Sequence, residues 1–249
     1  MENHHNLCKA RAWLVHFYTS LGLICGLLAL VAIWQNDPQA VFVYLGIALF
    51  IDATDGTLAR TYKVKTYAPG LDGRKLDDIT DYLNYAFVPA IFAYRFGLVG
   101  GPGGLVVLSV VLLCAVYGFC QSEAKTNDGY FTGFPNFWNQ VVFYLYFLEL
   151  GPVANGLILA VLCGLIFVPV KYVSYSTRPF RKWTALVSLA YGIMLAAILA
   201  TMQRPDVHLV LVSLVFPLYY VVLSLYLNVK SGWQTENVSD IVETKPDQG

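Results

Sequence analysis

The sequence predicts an all-α fold, a polytopic bundle of about eight transmembrane helices, and three observations carry that prediction. Hydrophobic residues make up 57% of the 249-residue chain and charged residues only 13%, against the roughly 25% charged residues of an ordinary soluble domain. The apolar residues fall in runs near the ~20-residue length that crosses the hydrocarbon of a bilayer, with turn-forming residues between them. Lys and Arg segregate to one set of connections, as cytoplasmic loops of membrane proteins do. A mean hydropathy of +0.57 excludes a soluble globular or disordered class.

In chain order the apolar runs occupy residues 13–34, 39–61, 76–96, 103–120, 153–172, 183–202 and 207–228, with a shorter run at 136–150. If the short run also crosses, every Lys and Arg except Arg95 and Arg204 falls on one side, together with both termini. Without it, Lys171, Arg178, Arg181 and Lys182 change sides, so the charge bias supports eight crossings with cytoplasmic termini. Residues 1–11 are polar, with His4, His5, Lys9 and Arg11, and read either as a short N-terminal interfacial helix or as a frayed tail. No cleavable signal is expected, because the first run is as long as a true span. Residues 1–230 form a single integral membrane domain, and 231–249 turn polar without periodicity, the pattern of a disordered tail. Cys8, Cys25, Cys114, Cys120 and Cys163 are scattered and show neither disulfide nor zinc spacing.

The connections on the other side are short and rich in Gly, Pro, Asn and Asp and carry no chemistry. On the Lys- and Arg-bearing side the connections are longer, and there the second and third spans bear carboxylates. Ionisable groups inside membrane helices are costly and normally line a cavity, pair, or perform chemistry. Asp52, Asp55, Gly56 and Ala59 follow spacings that place them on one helical face, closed by Arg60. Gly73, Asp77 and Asp81 recur every four residues and draw a second stripe on the next helix. Asp72 and Asp78 lie off that stripe and are expected in loop-charge or solvated roles. Two facing carboxylate stripes suit a hard divalent cation such as Mg2+ or Mn2+, which shares a few carboxylates with substrate phosphates. The small residues Gly56, Ala59 and Gly73 leave room for a bulky ligand, and the planar fork of Arg60 suits a phosphate. A cation-coupled transporter also uses intramembrane carboxylates, but it would be expected to show internal repeats and broken helices, and no repeat is evident.

The run Asp52-x-x-Asp55-Gly56-x-x-Ala59-Arg60, followed by Gly73-x-x-x-Asp77-x-x-x-Asp81, resembles the signature of the CDP-alcohol phosphatidyltransferases. The gap from residue 61 to residue 72 is longer than the usual one in that family. That gap and the eight-span layout, with the Gly133 to Asn139 stretch, resemble the bacterial branch whose acceptor alcohol is choline. The resemblance implies an inner-membrane phospholipid-biosynthetic transferase moving the phosphatidyl group of CDP-diacylglycerol to choline, with phosphatidylcholine and CMP as products. The sister activities, with serine, inositol or glycerol phosphate as acceptor, remain open. It further implies Asp52, Asp55, Asp77 and Asp81 as ligands of Mn2+ or Mg2+, with Asp81 also as the general base. Gly56, Ala59, Arg60 and Gly73 would bind the CDP-diacylglycerol, and members of the family are often dimers. For the choline ammonium, which aromatic faces and a carboxylate would hold, the candidates are Tyr82, Tyr85, Tyr117, Glu123, Tyr130, Phe131, Phe134 and Trp138.

Overall fold

Where an α-helix begins and ends along this chain is set mainly by prolines and caps. The computed structural model describes residues 2–121, 130–168, 170–173, 181–202 and 206–230. Helix α1 (Glu2–Trp34) is followed by α2 (Pro38–Thr61), a short α3 (Val64–Tyr67) and α4 (Gly73–Asp81), which continues through a π-helical turn (Tyr82–Phe87) into α5 (Val88–Arg95). Then come α6 (Gly101–Cys120), α7 (Trp138–Leu148), α8 (Pro152–Ile166), α9 (Arg181–Ala200) and α10 (Val207–Lys230). A three-residue strand before α7, β1 (Tyr130–Thr132), pairs antiparallel with β2 (Lys171–Val173) after α8. Helix α2 starts where Pro38 fills the first position and the Asp37 carboxylate accepts the Ala40 N–H at 3.0 Å, a preorganised first turn with one orphan donor satisfied.

The all-helical class holds, and two expectations change in detail. The polar head does not form a separate interfacial helix. It continues unbroken into α1, because no Gly or Pro between residues 2 and 21 interrupts the helix. The expected span at 153–172 stops as a helix at Ile166, and residues 171–173 are strand. A proline stands at 169 in the sequence, and helices end at or before the residue preceding proline. As for the count of about eight spans, four helices among the described residues are long and apolar enough to cross a membrane: residues 4–34, 38–61, 101–120 and 207–226. Helix α8 and the apolar part of α9 are shorter, and α7 has 11 residues, about 16 Å of helix against a hydrocarbon core of about 30 Å.

One end of the molecule is held by aromatic packing. Phe42 of α2 meets Phe92 of α5 at 4.7 Å and Phe143 of α7 at 5.1 Å between ring centres, contacts that add about 0.5–1.5 kcal/mol each beyond their buried area. The Tyr144 hydroxyl of α7 bonds the Tyr191 hydroxyl of α9 at 3.0 Å and Ser213 Oγ of α10 at 3.1 Å, which ties the last two helices to the bundle. Between α7, α8 and α10 lies an apolar cavity of about 320 Å3, with Phe134, Phe137 and Tyr220 on its wall.

At the other end the helices approach by their small residues. Gly22 and Gly26 of α1 are spaced as in small-xxx-small helix contacts. A Cβ at Gly22 would stand 2.5 Å from Thr80 Cγ2, and one at Gly26 2.7 Å from Leu83 Cδ2. Asn84 in the π turn donates to the Gly22 carbonyl at 3.0 Å. The long 61–72 connection is folded rather than loose: Val64 and Ala68 pack with Ala12 and Val15 of α1. Its end, Asp72, caps α4 by accepting the N–H groups of Arg74 and Lys75, which gives this off-stripe residue a structural role.

Candidate active site

Three elements bring the two carboxylate stripes into one cleft. Thr19, Ala48, Ile51, Asp52, Asp55, Asp77, Thr80, Asp81, Asn84 and Tyr85 enclose a space of about 10 Å3, about the size of one ion or water. Each of Asp52, Asp55 and Asp77 places a carboxylate oxygen within 4.8 Å of the other two. Asp81 lines the same cleft outside that mutual set. Like charges this close repel by about 4 kcal/mol per pair at ~4 Å and an effective dielectric constant of ~20. Oxygen-only donors converging on an ion-sized space fit a hard divalent cation, which would remove that repulsion.

Protein donors aim the two carboxylates on α2. The Tyr85 hydroxyl donates to Asp52 Oδ2 at 2.7 Å, and Thr19 Oγ1 of α1 donates to Asp55 Oδ2 at 2.8 Å. Asp55 is the most enclosed of the set, 6% exposed. Such partners fix which lone pairs remain for a cation. On α4, by contrast, no hydrogen-bond donor reaches Asp81 among the described residues. Tyr85 continues the four-residue series of Gly73, Asp77 and Asp81, so the stripe that carries the carboxylates also supplies the donor that orients one of them. The π turn begins directly after Asp81, and such turns concentrate at functional sites.

The small residues divide. A Cβ at Gly56 would meet only the Arg60 guanidinium, at 3.5 Å, so the space beside Gly56 is open. Ala59 packs against the Ala12, Val15, Val64 and Ala68 cluster, and a Cβ at Gly73 would come 3.0 Å from Cε1 of His16. Arg60 is exposed, with one guanidinium nitrogen donating to Thr57 Oγ1 at 3.1 Å.

The aromatic candidates scatter. Tyr85 sits in the cleft and touches Phe137 edge-on, and Tyr82 packs on Phe119. Tyr117 is 45% exposed and stacks on Phe167 of the α8 end. Phe134 lines the apolar cavity. Trp138 is 1% exposed, packs on Phe134 and donates its indole N–H to Asn136 Oδ1 at 3.2 Å, a core position. Tyr130 and Phe131 lie on β1, where the backbone alone is described, and Glu123 lies outside the described residues. Sequence reading missed Thr19 and Asn84, which line the cleft, and His16, which lies against Gly73. The signal that points to α1 is the Gly22-x-x-x-Gly26 spacing, which marks a face in close contact with another helix.

The chain is similar to proteins of known name. A protein of Pseudomonas aeruginosa named phosphatidylcholine synthase is 40% identical over 204 residues, covering 82% of this chain and 85% of its own. Proteins of the same name from Legionella pneumophila and Borreliella burgdorferi are 35% and 34% identical. They cover 86% and 91% of this chain, and 88% and 98% of their own. The model of the CDP-alcohol phosphatidyltransferase family matches residues 13–235, a range that includes the whole cleft together with α9 and α10. With its carboxylates of α2 and α4 meeting at one ion-sized space, the chain belongs to the CDP-alcohol phosphatidyltransferase family.

Proposed function

We propose that the chain transfers the phosphatidyl group of CDP-diacylglycerol to choline, giving phosphatidylcholine and CMP. The observation that supports this reading is the meeting of Asp52, Asp55 and Asp77 within 4.8 Å, with Asp81 beside them and no hydrogen-bond donor reaching it among the described residues, in a chain whose relatives carry the matching name. Asp52, Asp55 and Asp77 hold Mn2+ or Mg2+, which when bound neutralises charge on the pyrophosphate of the lipid nucleotide. Asp81, unencumbered by hydrogen bonds, takes the proton from the choline hydroxyl. The choline oxygen forms a new bond to the phosphorus that carries the diacylglycerol, the bond from that phosphorus to the oxygen of CMP breaks, and CMP leaves with the electron pair. The open face at Gly56 admits the nucleotide, and the exposed Arg60 fork turns from Thr57 to a phosphate oxygen.

The same reading places the enzyme in a bacterial inner membrane with eight crossings, as a homodimer, with both termini and the active site cytoplasmic, and takes residues 1–230 as one catalytic domain. It rests on the Lys and Arg distribution and on the family. Purified protein in lipid nanodiscs, given CDP-diacylglycerol, Mn2+ and labelled choline, is expected to yield labelled phosphatidylcholine and stoichiometric CMP. Parallel reactions with serine, inositol and glycerol phosphate decide between this and the sister activities. Lys63, Lys65, Arg74 and Lys75 beside the motif would favour a phosphorylated acceptor, so label in phosphatidylglycerol phosphate rather than phosphatidylcholine would overturn the choice of choline.

A further inference from the structure

His16 is 5% exposed, and its Nε2 is buried without a hydrogen-bond partner. A buried imidazole normally finds a partner for its polar atoms, since leaving one unpaired costs more than the bond itself is worth. Packing alone accounts for the ring's carbon atoms: it meets Trp13 edge-on and lies flush on Gly73, where a Cβ would stand 3.0 Å from Cε1 and 3.5 Å from Nδ1. It does not account for Nε2.

The position of His16 is what gives the orphan atom meaning. One turn further along α1, Thr19 donates to Asp55. Asp55 meets Asp77 in the triad, and one turn back along α4 from Asp77 is Gly73, which touches His16. Helices α1, α2 and α4 therefore close a ring in which His16 stands one turn from the triad on the side of the 61–72 connection. Two other polar groups on that side have partners. Asp72 occupies the N–H groups of Arg74 and Lys75 at the start of α4, and Arg60 rests on Thr57. Two polar atoms at this ring are buried with nothing bound to them among the described residues: Asn84 Oδ1, which faces α1 where a Cβ at Gly26 would come 3.1 Å from it, and, on the side of the 61–72 connection, His16 Nε2.

We propose that His16 is a nucleotide-binding residue, its Nε2 hydrogen-bonding a polar atom of the cytidine diphosphate portion of the lipid substrate. The proposal rests on the reading that the cleft binds CDP-diacylglycerol. It also assigns Gly73 a different use from Gly56. Gly56 leaves its space to the ligand, while Gly73 leaves its space to the His16 ring that meets the ligand.

The full-length protein in nanodiscs, with Mg2+, is titrated calorimetrically with CMP. His16→Gln carries an amide nitrogen where Nε2 was, and His16→Asn carries one nearer Nδ1, so the two polar variants differ in the atom the proposal names. The expected result is His16→Gln within about threefold of wild-type affinity and His16→Asn about tenfold weaker, the scale of one lost hydrogen bond. Steady-state assays are expected to show the KM for CDP-diacylglycerol rising in the Asn variant while that for choline stays put. Wild-type affinity in both variants overturns the proposal. Equal weakening of both, with or without a lower unfolding temperature, also overturns it, because the atom at Nε2 then does not matter. If wild type itself does not bind CMP, the reading of the cleft fails, and this inference fails with it.

Discussion

The two motif helices carry similar residues and treat them differently. On α2 each carboxylate is gripped, Asp52 by Tyr85 and Asp55 by Thr19, and the glycine between them and Arg60 faces open space. On α4 Asp81 is ungripped and the glycine is covered by His16. Under the proposed function the difference separates two tasks within one signature. A carboxylate locked by a neutral donor keeps a fixed lone pair for a cation, whereas a proton acceptor needs its oxygens free to meet the nucleophile. Asp77 belongs to α4 by sequence and to the α2 set by geometry, since it completes the triad.

The largest expected effect comes from removing the triad. Asp52→Asn, Asp55→Asn and Asp77→Asn each lose a charge that the cation needs, and loss of several kcal/mol of transition-state stabilisation corresponds to about a thousandfold or more in rate. Chelation of wild type has the same outcome, reversed by added Mn2+ or Mg2+. Turnover measured in detergent with intact, monodisperse protein checks this, and one Asn variant near wild-type rate would remove that residue from the ligand set.

Asp81→Asn is expected to break the comparison at its other side. Its kcat falls by about a hundredfold to ten-thousandfold while CMP affinity in Mg2+ is retained, because the triad is intact. Should nucleotide affinity fall as steeply as turnover, Asp81 is a ligand, and the division of labour between the helices disappears.

A smaller effect is expected when the grip on α2 is loosened. Tyr85→Phe and Thr19→Val keep shape but remove the donors to Asp52 and Asp55, and the loss of such supporting bonds costs about ten- to a hundredfold in metal affinity or activity. The signature of a positioning role is rescue: activity in either variant is expected to climb with Mn2+ concentrations beyond those that saturate wild type. Depressed activity that ignores metal concentration would assign these residues elsewhere.

Much of this was legible in the sequence for a specific reason. Stripes of Asp at helical spacing inside apolar runs are rare enough to be informative, and helical periodicity alone predicts that Asp52 and Asp55 share one face of a helix, and Gly73, Asp77 and Asp81 one face of the next. What periodicity cannot supply is the third side of the cleft. Thr19 and His16 are ordinary residues in an apolar helix, and their meaning comes from α1 lying against α4 along Gly22 and Gly26, a tertiary fact. Small residues were likewise ambiguous: Ala59, Gly56 and Gly73 look equivalent in the motif, yet one packs on α3 and α1, one is open and one is covered. The extent of the span expected at 153–172 was misjudged because hydropathy measures how far apolar residues run and not where a proline stops the helix.

The smallest expected effect is also the sharpest discriminator between the two stripes, and it needs only one methyl group at each glycine. In the interior of α2, Gly56→Ala restrains the unfolded chain and is worth about 0.5–1 kcal/mol in the helix, with no neighbour closer than the flexible Arg60 side chain at 3.5 Å. Its unfolding temperature is therefore expected to hold or rise. The added methyl enters the space assigned to the nucleotide, and a misplaced methylene-sized group in a binding pocket costs about tenfold or more in specificity, so the KM for CDP-diacylglycerol rises. Gly73→Ala presses its methyl on the His16 ring at 3.0 Å, and overpacking of this kind costs about 1–3 kcal/mol. At the first residue of α4 the helix-propensity gain is too small to offset that, so its unfolding temperature falls. Thermal unfolding and steady-state kinetics of the two variants, run side by side, are expected to show opposite patterns: stability kept and substrate affinity lost at Gly56, stability lost at Gly73. The pair is completed by Gly73→Ala combined with His16→Asn, in which the shorter side chain relieves the contact. Recovery of the unfolding temperature in the double variant, with CMP affinity still low, would show that Gly73 is kept small for His16; a double variant no more stable than Gly73→Ala alone would show that it is not.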